Sequence, residues 1–373
     1  MLPALVTHAH SRAAVAGIRA LGAAGVEVAA VASRRSAAGL WSRHTAIRTV
    51  GPGSGDPAGW RACVAGLARR HGPIVVYPGQ EEGIAPLVQD PVPEGVVLPY
   101  PGAGAVERVR DKRELHALSR DAGIPSPGVL ADGPAASVLE SLPDAPCVLK
   151  SPGLSDALPV ALMCETRDEL RRALEQLPPG EHVILQERAT GALVAVTVVL
   201  DRDGAVVARL QQSALRLWPT TAGASSLGQT VQPDPDLVER VAALLRAAGY
   251  WGLAQIQLVD TPAGPRAIDV NPRFYGSLPL ARAAGVNLPL AWHQVAIGEQ
   301  PRPQLDYRVG VTYRWLEGEL TAAWNGERSR LRSRPPAPRA GAMWAWDDPA
   351  PGLVLAAGAA APRLRRLTGR LNR

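Results

Sequence analysis

Short apolar segments alternate with helical segments in the first part of the chain. Residues 4–7 and 26–32 are apolar runs of strand length, and residues 12–24 between them are alanine-rich with a helical pattern. A second helical segment, 57–71, leads to another apolar run, 73–77. This order predicts β-α-β units of a parallel sheet. The first apolar run is not followed by G-x-G-x-x-G, so the sequence lacks the dinucleotide-binding fingerprint.

The pattern changes after residues 90–104, which are rich in proline and glycine and predict a domain boundary. A helix is predicted over 105–123, and the polar and small residues of 211–226 predict a loop. The other predicted elements are strands over 146–150, 182–187, 192–200 and 205–211, a strand pair over 253–259 and 266–270, and helices over 166–177, 236–249 and 278–284.

The predicted strand pair carries a group of oxygen-bearing side chains. Residues 253–259 alternate apolar and polar side chains, and Gln257 lies on the polar face. Asp269 and Asn271 are two residues apart on the second strand, so both project from the same face. One carboxylate and two amide oxygens suit a hard cation such as Mg²⁺, with phosphate oxygens completing the shell. Arg273 follows, and its planar guanidinium can bind phosphate or carboxylate. The alternative is a plain surface hairpin with a polar face.

Composition limits the classes of protein to consider. The chain has 373 residues, 46% of them hydrophobic, which is enough for two or three globular domains. Its formal charge of +6 is spread along the chain without a basic stripe, which argues against a nucleic-acid partner. No apolar run reaches the roughly 18 residues of a membrane span, and no signal peptide is recognised. Three widely spaced cysteines without zinc spacing predict a cytoplasmic protein.

Lysine is rare in this chain, which makes each lysine a candidate for a specific role. Of 40 basic residues only Lys112 and Lys150 are lysines; the others are arginines. A coding bias toward arginine explains the general composition. The same bias is expected to replace any lysine whose only role is to carry a solvated charge. The two lysines that remain therefore need another explanation. A compact ammonium on a flexible stem provides what the rigid guanidinium of arginine does not, so both lysines are candidate ligand-binding residues.

The spacing Gln257…Asp269-Val-Asn271-Pro-Arg273 resembles the metal-binding segment of the ATP-grasp superfamily. The family pattern is an acidic or Gln residue on one strand, followed by Glu/Asp-x-Asn-Pro-Arg on the next. Gln257 is similar to the variant in carbamoyl phosphate synthetases, and Asp269 replaces the commoner Glu. The resemblance implies that Gln257, Asp269 and Asn271 bind Mg²⁺, with Mn²⁺ as the alternative metal.

Other segments resemble the nucleotide-binding parts of the same superfamily. The resemblance implies that Lys112 and Lys150 contact the phosphates of ATP, and that Gln186 and Glu187 lie at the hinge that binds adenine or ribose. A second acid that often holds the ribose is replaced by Leu193. The loop after Lys150, residues 151–159, carries two prolines, each lacking an N–H for the phosphates.

The implied fold is an α/β protein with a Rossmann-like N-terminal domain followed by the two α+β lobes of an ATP-grasp fold. The predicted parts are a Rossmann-like domain over 1–104, a small lobe over 105–190, a large lobe with the metal site over 191–310, and a C-terminal cover with a basic tail over 311–373.

The implied activity is that of the ATP-dependent carboxylate–amine ligases. The substrates are then a small carboxylate, of amino-acid or peptide type, and an amine. Arg216 and Arg273 are the candidate catalytic residues, because each can neutralise an acyl phosphate or a substrate carboxylate. A homodimer is the candidate assembly. Two alternatives remain open: a bicarbonate-activating enzyme of the carboxylase or carbamoyl-phosphate type, and an ATP-binding protein without catalytic activity.

Overall fold

A parallel sheet of five strands forms the N-terminal part of the computed structural model, which describes residues 1–53, 55–143, 146–153, 155–158, 161–220, 223–332 and 340–358. The strands are β1 (Ala4–Val6), β2 (Val28–Ala32), β3 (Ile47–Val50), β4 (Ile74–Tyr77) and β5 (Val96–Val97). They pair in parallel in the order β3-β2-β1-β4-β5. β1, β2 and β4 are buried along their whole length, which explains their continuous apolar sequences. The predicted β-α-β order is confirmed, with helices α1 (Arg12–Gly22), α2 (Pro57–His71) and α3 (Ile84–Val88) between strands.

The single helix predicted over 105–123 is wrong, because the segment forms two helices. α4 (Ala103–Arg110) ends and α5 (Lys112–Asp121) begins on either side of Asp111, which has an extended backbone. The Asp111 carboxylate accepts hydrogen bonds from two backbone N–H groups in the first turn of α5. This N-cap places Lys112 at the first position of the second helix.

Four antiparallel strands form a smaller sheet with its own hydrophobic core. The strands are β6 (Val129–Pro134), β7 (Cys147–Lys150), β8 (Leu162–Cys164) and β9 (His182–Glu187), in the order β6-β9-β7-β8. Helices α6 (Ala135–Glu140) and α7 (Arg167–Glu175) also contribute to this core, together with Leu142 and Leu158. Alternation along β7 directs Leu149 into the core and Lys150 to the opposite face of the sheet.

A larger sheet of seven strands follows. Its strands are β10 (Ala192–Leu200), β11 (Val206–Trp218), β12 (Ala224–Thr230), β13 (Gly252–Thr261), β14 (Gly264–Asn271), β15 (Thr312–Arg314) and β16 (Ala340–Gly341), in the order β14-β13-β10-β11-β12-β15-β16. Only the β15–β16 pair is parallel among the described residues. Further helices are α8 (Pro235–Ala247), α9 (Pro279–Ala284), α10 (Leu288–Ala296), α11 (Leu316–Trp324) and α12 (Ser329–Arg332).

The prediction of a loop over 211–226 is wrong. β11 continues to Trp218 and pairs with β12, so most of the segment is a hairpin inside the sheet. Gln211 and Gln212 are only 8% and 7% exposed. Because these buried side chains are polar, the segment lacks the apolar alternation by which a strand is recognised in a sequence.

One hydrophobic core joins the parallel sheet to the large sheet. Its centre contains Phe274, the only phenylalanine of the chain, whose ring stacks on Tyr77 with the centroids 5.2 Å apart. Trp292 packs edge-on against both rings. A Cβ atom at Gly17 of α1 would lie 2.2 Å from the Phe274 ring, so glycine allows this contact. The packing fixes the segment that carries Arg273 against the first sheet.

The segment after β16 returns to the first sheet. Asp348 is 1% exposed and accepts from Arg19 Nε at 2.9 Å and from Ser42 Oγ at 2.7 Å. This buried ion pair attaches the C-terminal segment to α1. The predicted basic tail in residues 361–373 lies outside the described residues. Within the described ranges, none of the helices has both the length and the apolar character required to cross a membrane.

Candidate functional site

A cavity of about 390 Å³ lies between the small sheet and the large sheet. Strand alternation explains its walls, because Val148, Lys150 and Gln186 share one face of the small sheet, and Leu193, Gln257 and Val259 share one face of the large sheet. Two further cavities adjoin it: a polar one of about 210 Å³ and an open groove of about 780 Å³. Asp269 lines all three cavities.

Lys150 lies at the end of β7 and is 8% exposed. Its Nζ donates to the backbone carbonyl of Ile268, 3.3 Å away on the large sheet. Burial lowers the pKa of Lys150 to about 8, although the charge of Asp269 opposes this shift. An ammonium held in this way across the cavity is suited to an anionic ligand.

Asp269 and Gln257 are direct partners across the β13–β14 hairpin, so their side chains share one face. Asn271 Nδ2 donates to Asp269 Oδ2 at 3.2 Å. Burial raises the pKa of Asp269 above its ordinary value, while the positive charges of Lys112 and Lys150 lower it. The carboxylate lies deep in the protein but keeps part of its surface open to the cavities.

The three predicted metal ligands therefore come together. Their donors are one carboxylate, on Asp269, and the amide oxygens of Gln257 and Asn271, all lining the polar cavity. Among the described residues there is no cluster of three or more His, Cys, Asp or Glu side chains placed for a metal ion. An oxygen-only donor set with a single carboxylate fits Mg²⁺ whose remaining positions are filled by phosphate and water, and does not fit a zinc site.

Arg273 lines the polar cavity and the open groove. Its Nε donates to Glu81 Oε2 at 2.7 Å, and Arg110 Nε donates to Glu81 Oε1 at 2.5 Å. Burial raises the pKa of Glu81, but the two arginines outweigh it and hold that pKa below its ordinary value. Glu81 stays ionised and positions both guanidinium groups at the mouth of the site.

Lys112 lines the first cavity, of about 390 Å³, and the open groove. Its backbone N–H donates to the carbonyl of Pro152 at 3.4 Å. This bond joins the start of α5 to the loop after Lys150. Leu154 and Pro159 of that loop lie outside the described residues.

Gln186 and Glu187 both line the first cavity, at the end of β9. Gln186 is 4% exposed, whereas Glu187 is exposed and its Oε2 accepts the backbone N–H of Gly128 at 3.1 Å. Leu193 lies at the junction of the first and the polar cavity.

Arg216 is the one predicted site residue that the structure does not bring to these cavities, within the described ranges. Its Nη1 donates to Glu319 Oε2 at 2.7 Å. The Glu319 side chain is fully buried and also accepts from Ser226 Oγ and Arg330 Nη1. This network between the β11–β12 hairpin and α11 gives Arg216 a structural partner.

Three residues at the site were not predicted from the sequence. Glu81 has a signal, because its Gln-Glu-Glu segment follows a buried strand of the parallel sheet, where ligands often bind. Arg12 lines the polar cavity and belongs to no recognisable motif. Gln212 also lines this cavity, and it lies in the segment 211–226, which resembles the acceptor-side segment of the ATP-grasp carboxylate–amine ligases. Arg12 is on α1 and Gln212 is on β11, so their positions at the site depend on the tertiary packing of these two elements.

Comparison with protein families matches residues 183–319 to a family described as ATP-grasp in the biosynthetic pathway with Ter operon. The matched segment begins in β9 and contains the β13–β14 hairpin and the Arg216–Glu319 ion pair. A comparison with curated proteins found no match.

Solved structures of biotin carboxylases are similar to most of this chain. One is the biotin carboxylase domain dimer of 2-oxoglutarate carboxylase from Hydrogenobacter thermophilus, in complex with MgADP, ADP and bicarbonate. It has a TM-score of 0.63 and 17% identity, over 84% of this chain and 73% of that chain. Another is the biotin carboxylase–β,γ-ATP complex from Campylobacter jejuni, with a TM-score of 0.64 and 14% identity, over 84% and 74%. At these identities the likeness shows the fold alone, and it confirms the predicted α/β fold class.

Proposed function

Because residues 183–319 match an ATP-grasp family and the fold is similar to that of biotin carboxylases, we propose that this chain is an ATP- and Mg²⁺-dependent ligase that joins a carboxylate to an amine. The observation that carries the proposal is the position of Asp269 at the junction of the three cavities. The cavity of about 390 Å³ lies between two sheets and has apolar walls, which suits a nucleotide. The cavity of about 210 Å³ is small and polar. A reaction between ATP and a small polar substrate needs these two spaces to meet at charged groups.

The nucleotide is assigned to the cavity of about 390 Å³. Gln186 and Glu187, at the end of β9, bind the adenine or ribose side. Lys112 and Lys150 bind the phosphates, and the buried ammonium of Lys150 compensates phosphate charge away from bulk water. Neighbouring biotin carboxylases are described as complexes with ADP or an ATP analogue, which supports this assignment.

Gln257, Asp269 and Asn271 would hold Mg²⁺ against the phosphate oxygens. When bound, the ion supplies positive charge that neutralises the triphosphate. Mn²⁺, which also accepts oxygen ligands, is the alternative. The side chains of the hairpin provide a fixed frame, because Asp269 and Gln257 are cross-strand partners and Asn271 is hydrogen-bonded to Asp269.

The reaction requires positioning and charge compensation rather than a protein nucleophile. A substrate carboxylate oxygen attacks the γ-phosphorus of ATP, and the bond from this phosphorus to the β–γ bridging oxygen breaks. The products of this step are ADP and an acyl phosphate. The amine then attacks the acyl carbon and displaces inorganic phosphate. Arg273, oriented by Glu81, neutralises charge on the transferring group.

Bicarbonate activation is a second candidate. The structure of the Hydrogenobacter thermophilus domain is described as containing bicarbonate together with MgADP. In that case the polar cavity binds bicarbonate, and carboxyphosphate takes the place of the acyl phosphate. An ATP-binding protein without catalysis is the third alternative, and only a turnover measurement separates it from the other two.

The division of the chain into parts is proposed along with the function. The parts are the first domain over 1–104, the small lobe over 105–190, the large lobe over 191–310 and the C-terminal cover from 311. The separate core of the small sheet supports this division. A homodimer is the proposed assembly, since one similar structure is described as a dimer.

The test is release of ADP and phosphate from Mg-ATP in the presence of amino acids, dipeptides, amines or bicarbonate. Asp269→Asn removes the only carboxylate of the metal set, and we expect turnover to fall at least about 100-fold, the scale on which lost charge stabilisation acts. The matched control is Asp260→Asn on the same hairpin, whose side chain is exposed and lines none of the three cavities. Equal turnover in wild type and Asp269→Asn removes Asp269 from the site. ATP binding without ADP release under any condition establishes the third alternative.

A further inference from the structure

Arg12 is a lining residue of the polar cavity. It is the first residue of α1, and its Cζ lies 3.7 Å above the centre of the Trp315 ring. A Cβ atom at residue 276 would be 2.3 Å from Arg12 Nε, so Gly276 leaves the space that this side chain occupies. Two independent contacts therefore hold the guanidinium in place. Its Nη1 is buried and has no hydrogen-bond partner among the described residues.

Gln212 is a second polar residue that lines the same cavity. It is on β11 and is 7% exposed. Its Nε2 donates to Ser277 Oγ at 2.7 Å. Its Oε1 is buried and has no donor among the described residues. This buried acceptor lacks the hydrogen bond that such groups normally make.

An unpaired guanidinium nitrogen and an unpaired carbonyl oxygen define the ligand that would satisfy both. The first requires an anion, best a planar carboxylate, and the second requires an N–H or O–H donor. Both groups line the same cavity as Gln257, Asp269 and Arg273, where the proposed phosphoryl transfer takes place. The ligand is therefore a substrate of that reaction rather than a structural ion.

We infer that Arg12 and Gln212 form the binding site of an amino-acid substrate, with its carboxylate on Arg12 and its amino group donating to Gln212 Oε1. This inference rests on the proposed function and names the substrate class. The volume of about 210 Å³ is below the range of about 300–1,000 Å³ of drug-sized pockets, which matches a molecule as small as a single amino acid. Bicarbonate has the same anionic and donor character but leaves most of this volume unfilled.

Glu317 is an acidic residue in the same region as Arg12, since the charges of both act on Tyr313. It lies on α11, two residues after Trp315, and both of its carboxylate oxygens are buried without a partner among the described residues. It does not line the polar cavity, and no ion pair joins it to Arg12 in the described part of the chain. Pairing of Arg12 with Glu317 in solution would remove the requirement for a ligand carboxylate.

The experiment is calorimetric titration of the full chain with each proteinogenic L-amino acid and with sodium bicarbonate, in the presence of Mg-ADP. For the tightest-binding amino acid, the matched amine that lacks the carboxylate is titrated as well. We expect at least one amino acid to bind, and the matched amine and bicarbonate to bind at least about tenfold more weakly. Bicarbonate binding without amino-acid binding, or no binding by either, overturns the inference.

Substitutions then assign the site. Arg12→Lys keeps the charge but loses the planar fork, so we expect amino-acid affinity to fall about tenfold or more while Mg-ADP affinity changes less than twofold. Gln212→Met removes the acceptor and is expected to weaken binding of the amino acid but not of the nucleotide. Arg70→Lys on the exposed face of α2 is the matched control. In turnover assays both site variants should raise KM for the amino acid more than they lower kcat.

Unchanged amino-acid affinity in both Arg12→Lys and Gln212→Met overturns the inference while leaving the ligase proposal intact. The double variant Arg12→Lys/Glu317→Gln tests pairing of Arg12 with Glu317. If it binds the amino acid with wild-type affinity, Arg12 pairs with Glu317 and the inference is overturned. Absence of Mg-ADP binding in wild type is a failure of the proposed function itself, and is seen before any substrate is added.

Discussion

Lys150 donates a hydrogen bond from Nζ to the backbone carbonyl of Ile268, so a side chain of the small sheet contacts the strand that carries Asp269. The bond is 3.3 Å long and crosses the cavity proposed for the nucleotide. Lys150 is therefore fixed at the point where the two sheets approach each other. Any anion that enters between them meets this ammonium.

The first prediction concerns the pH dependence of ATP binding. Burial lowers the pKa of Lys150 to about 8 in the free protein, so the neutral amine predominates above that pH. Phosphate favours the ammonium, so ATP binding takes up a proton in this range. We expect the Kd of ATP to be constant at neutral pH and to rise about tenfold per pH unit above pH 8.

Calorimetric titration between pH 6.5 and 9.5 measures this dependence. Lys150→Arg is the control, because arginine remains charged throughout the range. Its ATP affinity should be lower than that of wild type at pH 7, since the planar head does not fit the lysine position, and independent of pH up to 9.5. An identical pH dependence in wild type and variant assigns the titration to another group.

The second prediction uses the scarcity of lysine. Lys112 and Lys150 are the only lysines of the chain, so amine-reactive reagents report on these two side chains and the N-terminus. Lys150 is 8% exposed and Lys112 is half-buried, so Lys112 should react faster in the free protein. Mg-ATP should slow the labelling of both, measured by mass spectrometry with the N-terminal amine as internal reference. Equal labelling with and without Mg-ATP, in protein shown to bind ATP, places the nucleotide elsewhere.

The grouping of oxygen-bearing side chains on the β13–β14 hairpin was predictable because the geometry of a hairpin is local. Residues two apart on a strand share a face, and a short turn brings the second strand beside the first. Asp269, Asn271 and Gln257 are therefore brought together by rules that need no knowledge of the remaining chain. The same holds for Lys150, which the alternation of β7 places opposite Leu149.

Arg12 and Gln212 were not predictable in this way. They are separated by 200 positions, and they share a cavity only because Arg12 on α1 and Gln212 on β11 both lie against the Tyr275–Ser277 segment. No local pattern reports such a tertiary contact. The break between α4 and α5 is different, because Asp111 followed by Glu114 is a signal of a helix N-terminus in the sequence.

The third prediction separates a structural from a catalytic role for Arg216. Arg216→Met removes one partner of the fully buried Glu319 carboxylate, which keeps Ser226 and Arg330. We expect the free energy of unfolding to fall by about 1–3 kcal/mol, the cost of an incompletely satisfied buried group. Denaturant titration measures the change. ADP release by the folded variant should stay close to wild type.

Arg246→Met is the control for the third prediction, because Arg246 pairs with the exposed Glu239. The loss there should be below about 1 kcal/mol, as for surface ion pairs. A fall in turnover of about 100-fold in Arg216→Met, with unchanged stability, would instead support the hypothesis that Arg216 neutralises the acyl phosphate.

The fourth prediction compares two helical glycines. A Cβ atom at Gly17 would lie 2.2 Å from the Phe274 ring, whereas the nearest atom to a Cβ at Gly66 is 3.9 Å away. Gly17→Ala should therefore destabilise the fold by about 1–3 kcal/mol through overpacking. Gly66→Ala should stabilise it by about 0.5–1 kcal/mol, because alanine loses less backbone entropy in a helix. Denaturant unfolding measures both. Since Phe274 follows Arg273, Gly17→Ala should also slow ADP release. Equal stability of the two variants would show that the Phe274 ring does not pack against α1.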